Sequence, residues 1–420
     1  MGAAETNQNI ESTESSDSVV NHSPQYLSSW RLAIVIACLF FGAFLIALDT
    51  NIINVAIPKI SSEFHSLHDV AWYGTAYLLT VTAFQPIYGS LYKFFNTDVV
   101  YRTSIIIFEV GTILCAAATG SSMFIVGRAI AGVGAAGVLQ GALSIIGQVV
   151  ELEKRPLYMG IVISVFIFAV CVGPPLGGVF TQKSTWRWCF WINLPIGAAV
   201  LVILSIFLKI KGAQNKNRKL TLTKKLDSMD PLGCLIFIST VCSLLLALEW
   251  GGQTKPWNSP TVISLLVLFV ILGLVFAYLQ WRRKDRALIP IRVLKKRSIY
   301  TSAMVLFFLG ASNYLNVFFL PFYFQAVQGV DPIKSGENFI PLLLSSMVAL
   351  VVVGALVKSW GYYVPFMILG ELVCIVGTAF LTQLHPSTPP VQWAAYLVIA
   401  GIGMGMAMQL PYTAIQITLK

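Results

Sequence analysis

Twelve stretches of mostly apolar residues follow one another along this chain, at 32–57, 71–91, 99–118, 123–149, 157–180, 188–208, 231–250, 262–281, 299–324, 337–357, 363–381 and 393–418. About 20 such residues in helical form cross the hydrocarbon of a bilayer. Composition points the same way. Of 420 residues, 56% are hydrophobic and 11% charged, whereas a soluble domain is about 25% charged. That much apolar surface cannot all be hidden inside soluble domains, so much of it faces lipid. The expected fold is an all-α polytopic membrane protein, a helical bundle of about twelve transmembrane helices.

The formal charge of +10 would suggest a nucleic-acid binder in a soluble protein. Here the cations sit in short loops between apolar runs, and they sort by side. With the N-terminus inside, 22 of the 28 Lys and Arg residues fall on one face and five on the other, Arg128 lying within a span. Cytosolic loops carry such an excess, so a cytosolic N-terminus is expected and no nucleic-acid partner is. Two basic loops would lie against an anionic inner leaflet.

Those loops divide the chain. Residues 1–29, rich in Ser, Asn and acids, are expected to be a disordered cytosolic tail. A six-helix half follows at 30–208, then a basic loop at 209–230, an inserted helix pair at 231–281, a second basic loop at 282–298 and a four-helix C-terminal half at 299–420. An internal echo supports two related halves: Gly89-Ser-Leu-Tyr-Lys93 closes the second span of one, and Gly354-Ala-Leu-Val-Lys358 the second span of the other.

Several polar residues interrupt the apolar runs. Leu48 to Pro58 places Asp49, Asn51 and Asn54 inside the first span. A charge near the bilayer centre costs about 2.5–3.5 kcal/mol on insertion scales, so it faces a cavity or a partner. Arg128, in the same outer half of the bilayer on span four, is the natural partner. Such a pair can be a protonatable switch or a permanent ion pair that sets helix packing. Glu109 and Glu371 are further buried acids, candidates for proton traffic. Span four also carries Gly137-x-x-x-Gly141 beside Gln140, a smooth face for close helix approach. Span five holds Gly160, Ala169 and Gly173-Pro174-Pro175-Leu176-Gly177-Gly178, expected to form a kinked, flat surface. Span nine offers Asn313, Tyr314, Asn316 and Phe318, aromatics with amides that suit a large apolar ligand or helix packing equally. There is no metal-ligand cluster, nucleotide loop or nucleophile elbow. Neither an enzyme nor an ATP-driven pump is indicated, and no cofactor is expected beyond an ion gradient.

These strings resemble the major facilitator superfamily, in its 14-spanner drug:proton antiporter branch. Gly160 to Gly177 is similar to that superfamily's antiporter motif, with Ala169 in place of a glycine. Leu48 to Pro58 resembles the branch's span-one motif, Arg128 to Gly134 its span-four motif, and Trp186 to Gly197 is similar to fungal toxin-efflux members. The resemblance implies proton-coupled export of drugs, toxins or secondary metabolites by alternating access, with Asp49 and Arg128 acting together. A monomer is expected, with the plasma membrane as the default location and vacuolar or vesicular membranes compatible. Lys93 stands where the family's loop after span two usually has an acid. A 14-spanner would have two more spans, so the second half is read as incomplete. A nutrient importer of the same fold, or a truncated non-transporting membrane protein, are the alternative readings.

Overall fold

The computed structural model describes residues 29–207, 221–252, 254–283, 287–330 and 332–418. The expected tail and most of the first basic loop lie outside the described residues.

The first half comprises α1 (Ser29–Glu63), α2 (Val70–Phe94), α3 (Thr97–Ala116), α4 (Ser121–Val149), α5 (Arg155–Lys183), a single turn α6 (Trp188–Trp191) and α7 (Asn193–Phe207). The middle holds α8 (Leu222–Ser228), α9 (Pro231–Trp250), α10 (Pro260–Arg283) and the turn α11 (Ile291–Leu294). The second half runs through α12 (Arg297–Ala326), α13 (Pro332–Trp360), α14 (Val364–Leu381), α15 (Pro390–Met408) and α16 (Leu410–Thr418). Eleven helices among the described residues are long and apolar enough to cross a membrane. The exception among the twelve expected spans is α2. It has the length, but Tyr73, Thr75, Tyr77, Thr80, Thr82 and Gln85 lower its hydropathy. Of these, Tyr73 and Tyr77 are buried on α2, which packs against α4 and α9, while Thr82 and Gln85 are exposed.

Proline and side-chain caps start several of these helices, since a proline in the first turn removes a donor that has no intrahelical partner. At α9, Asp230 precedes Pro231, and its carboxylate accepts from the Gly233 N–H at 2.8 Å. Fully buried, Asp230 also pairs with Arg283 at 2.7 Å and accepts from Gln280 at 3.3 Å, while Gln280 accepts from the Ile289 N–H. One carboxylate thereby closes the inserted pair at its basic end. At the other end Trp72 of α2 meets Trp250 of α9 edge-on, docking the pair against the first half.

The two halves repeat one packing scheme. In the first, α4 lies against α2 and α3; in the second, α15 lies against α13 and α14. The contact points correspond. A Cβ at Gly132 would meet the Tyr77 carbonyl, and one at Gly401 would meet the Leu342 carbonyl. Gly134 faces the Phe108 backbone N as Gly403 faces that of Cys374. The chain separation from Tyr77 to Leu342 equals that from Gly89 to Gly354, so the five-residue echo marks a structural repeat. The halves meet where α5 lies along α13.

Candidate functional site

The close approach of α4 to α2 builds the central site. With no side chain at Gly132, the α4 backbone comes near enough to α2 that Arg128, one turn earlier, reaches across to it. Its Nε donates to the Tyr73 carbonyl at 2.9 Å, and its guanidinium lies over the Tyr77 ring, 4.3 Å from the centre. Tyr73 and Tyr77 stand one turn apart on α2, so backbone and ring together fix the fork. The remaining reach goes to α1, where Arg128 Nη1 donates to Asp49 Oδ2 at 2.5 Å.

Both partners are sealed from solvent, Asp49 fully and Arg128 at 1% exposure. The surrounding apolar shell includes Leu48, Ile52, Cys115, Phe124 and Phe190. In such a medium each charge depends on the other. Removing one partner of a buried pair costs about 3–5 kcal/mol, because the survivor is left buried and uncompensated. The Asp49 carboxylate is only half used: Oδ1 has no hydrogen-bond partner.

Around this pair the expected site residues separate into distinct places. Glu109 lies on α3, nearly buried, with neither carboxylate oxygen partnered, and it faces Gly197 of α7 rather than Arg128. Near it at the start of α7 is Asn193, fully buried with its amide unpartnered. Asn51 donates to the Ala47 carbonyl of its own helix at 2.7 Å and lies against Gly173 of α5. Gln140 faces Gly89 at the other end of α4, roughly 18 Å from Arg128 at 1.5 Å rise per residue. On α12, Asn316 is buried with an unpartnered Nδ2, Asn313 is half-buried, and Tyr314 points outward at 66% exposure. This helix packs chiefly on α13 and α16, so its polar residues are not gathered at the Asp49–Arg128 pair. The side chains of Asn54, Pro174 and Phe318 lie outside the described residues.

The glycines of α5 do two jobs. Gly173 and Gly177 receive α1 at Asn51 and Ile52, within a turn of Asp49. Toward the basic end, Gly160 faces Leu350 of α13 and Gln409, the residue between α15 and α16. The Gln409 amide donates to the Leu350 carbonyl at 2.7 Å, and its Oε1 is buried without a partner. One helix therefore touches both α1, beside the charged pair, and the seam between halves. It stays helical through Gly173–Gly178 despite two prolines.

Tyr73, Tyr77 and Gln409 are site residues that the sequence reading did not single out. Tyr73 and Tyr77 carry a usable signal, their four-residue spacing on a helix face. Gln409, a lone amide in an apolar run, resembles ordinary helix packing. At the non-basic end, Glu63 accepts from Trp186 Nε1 at 2.6 Å and from Arg187 at 2.8 Å, and Arg187 reaches the Ala118 carbonyl. Arg187 thus caps one carbonyl just past the end of α3. These contacts, Trp186 first, hold the Glu63 carboxyl below its usual range against a smaller opposing effect of burial.

The family model of the Major Facilitator Superfamily matches residues 39–419. The chain belongs to the major facilitator superfamily. It is 42% identical over 389 residues to the aspyridones efflux protein of Neocamarosporium betae, covering 93% of this chain and 69% of that protein. It is 42% identical over 400 residues to the MFS-type efflux pump MFS1 of Arthroderma benhamiae, at 95% and 74% coverage. With the efflux pump aflT of Aspergillus parasiticus the identity is 39% over 394 residues, at 94% and 76%. Among solved structures, a double-tryptophan mutant of XylE superposes with a TM-score of 0.62 at 14% identity, covering 93% of this chain and 87% of that one. The human organic anion transporter MFSD10 (TETRAN) gives 0.55 at 15% identity, with 91% of each chain covered. At these identities the structural likeness is one of fold. The superfamily and its efflux-pump relatives make this chain a multi-pass membrane transporter of small molecules and not an enzyme.

Proposed function

We propose that this transporter exports bulky, mostly apolar small molecules of the toxin or secondary-metabolite kind in exchange for protons, working as a monomer in the plasma membrane with its N-terminus and basic end in the cytosol. The observation that carries the reading is the sealed Asp49–Arg128 pair with one carboxylate oxygen free. Charged Asp49 holds α1 to α4 through Arg128. A proton on Asp49 removes the charge that Arg128 answers, while Arg128 keeps the Tyr73 carbonyl and the Tyr77 ring. The tie between α1 and α4 weakens, and α5 feels it at Gly173 and Gly177. Because α5 also meets the second half at Gly160, the change in α1 biases how the halves sit against each other. A proton shifts that equilibrium only by its different affinity for the two arrangements.

Glu109 is a second protonatable group on the same half, held apart from Arg128. The amides and aromatics Asn51, Asn54, Gln140, Asn313, Tyr314, Asn316 and Phe318 remain candidates for the substrate path. The names of the relatives support export of secondary metabolites, and the cation asymmetry supports the orientation. The test is accumulation of a lipophilic fluorescent drug in cells expressing wild type or Asp49→Asn at equal surface levels. Lower accumulation with wild type alone is expected. Equal energised efflux by both would remove Asp49 from coupling.

A further inference from the structure

At the basic end of the first half, two grooves run side by side along α3. The first, about 470 Å³, lies between α2 and α3 with Leu91, Phe95 and Ile107 among its walls. The second, about 590 Å³, lies between α3 and α7. Both are bordered by Val99 and Thr103, so one ridge of α3 divides them, and Val99 stands exposed upon it. Their walls are mostly apolar and belong to helices that face hydrocarbon.

The mouths of the grooves are polar. Lys225 of α8 closes the first, its ammonium 5.2 Å from the centre of the Phe95 ring. No carboxylate among the described residues pairs with Lys225. Arg102 borders the second groove, but Asp98 takes its Nη2 at 2.8 Å, so an approaching anion meets a neutralised pair there. The positive charge at the first groove belongs to Lys225, with Lys224 beside it on α8. Asn96 adds an amide on the same rim.

We infer that this surface binds one anionic diacyl phospholipid, its two chains on either side of the α3 ridge and its headgroup phosphate on Lys225. Two apolar grooves on either side of one ridge, with a cation at the mouth of one of them, match a molecule with two chains and one anionic head. A single-chain amphiphile would fill only one groove. The inference rests on the orientation proposed above, which places this mouth at the cytosolic leaflet, where anionic lipids attract basic segments. Bound there, the lipid ties α8, and with it the entry to the inserted pair, to the first half.

The test uses the full chain purified in detergent and titrated with phosphatidylserine or phosphatidylcholine of identical acyl chains, read by native mass spectrometry. Wild type is expected to retain phosphatidylserine preferentially. Lys225→Gln should lower phosphatidylserine retention about fivefold, the factor set by about 1 kcal/mol per basic residue at an anionic surface, and leave phosphatidylcholine unchanged. Val99→Trp, which crowds both grooves and leaves the charge in place, should lower both lipids. Equal phosphatidylserine retention by monodisperse wild type and Lys225→Gln overturns the inference. So does displacement of the lipid by water-soluble glycerophosphoserine, which would mark a site for the headgroup alone. Transport is not measured, so this result is independent of proton coupling.

Discussion

Where α4 crosses α2, Gly132 lets the backbones meet, and four residues earlier Arg128 reaches over to Asp49. Where α15 crosses α13, Gly401 makes the equivalent contact, and four residues earlier stands Leu397, fully buried beside Leu342, Phe324 and Trp393. Tyr77, whose ring carries the guanidinium, corresponds to Leu342. The two halves therefore share a backbone solution and differ in what they hold at its centre: a desolvated ion pair in one, a hydrocarbon cluster in the other. Close helix packing in this fold needs the glycines and does not need the charges. Since a buried pair contributes little net stability over a hydrophobic replacement, the pair in the first half calls for a reason other than packing, and proton coupling supplies one.

The largest effect expected is from breaking the pair on one side. Arg128→Leu makes the first half resemble the second at one position but strands Asp49, and should cost about 3–5 kcal/mol, read as a lowered unfolding midpoint in detergent. Adding Asp49→Leu should recover most of that loss, so the double variant folds but does not couple. A double variant as unstable as the single one would mean that the pair is needed for packing after all. Next come the shared contacts. Gly134→Ala and Gly403→Ala each push a methyl into a backbone, against Phe108 and Cys374, and each should cost about 1–3 kcal/mol. Similar losses are expected from both, because the packing is shared; a loss in one half only would break the equivalence.

The smallest effect is expected at the non-basic end, where Glu63 joins α1 to Trp186 and Arg187. Glu63→Gln should cost at most about 1 kcal/mol, because the carboxylate is nearly half exposed. Its native pKa is lowered, so the contribution is fully present above the ordinary carboxylate range and fades as pH falls through the lowered native value. Unfolding midpoints of wild type and variant should therefore differ at neutral pH and converge in acid.

Much of this was legible in the sequence, for identifiable reasons. A charge inside an apolar run needs a partner, and Asp49 and Arg128 were the pair whose depths matched, so their contact could be read without coordinates. The five-residue echo located the repeat because it lies at equivalent helix exits. The run at 71–91 could be read as a span, but that the α2 tyrosines are buried against other helices depends on how those helices pack. The amides of α12 resembled a ligand lining, but an amide on a helix reads alike whether it faces a cavity or a neighbour. Gln409 was missed for that same reason. Glu109 was recognised as a buried acid, yet its separation from Arg128 depends on how α3 faces α7, which no single segment encodes.

The most direct test of the central claim is proton-driven transport by purified protein in sealed proteoliposomes with an imposed pH gradient and a fluorescent lipophilic substrate. Wild type should move substrate against its concentration gradient and dissipate the pH gradient as it does so. Asp49→Asn should still bind substrate, judged by fluorescence polarisation, and should do neither. Gradient-driven accumulation by Asp49→Asn at the wild-type rate would contradict the assignment of the buried pair as the site where proton binding drives transport.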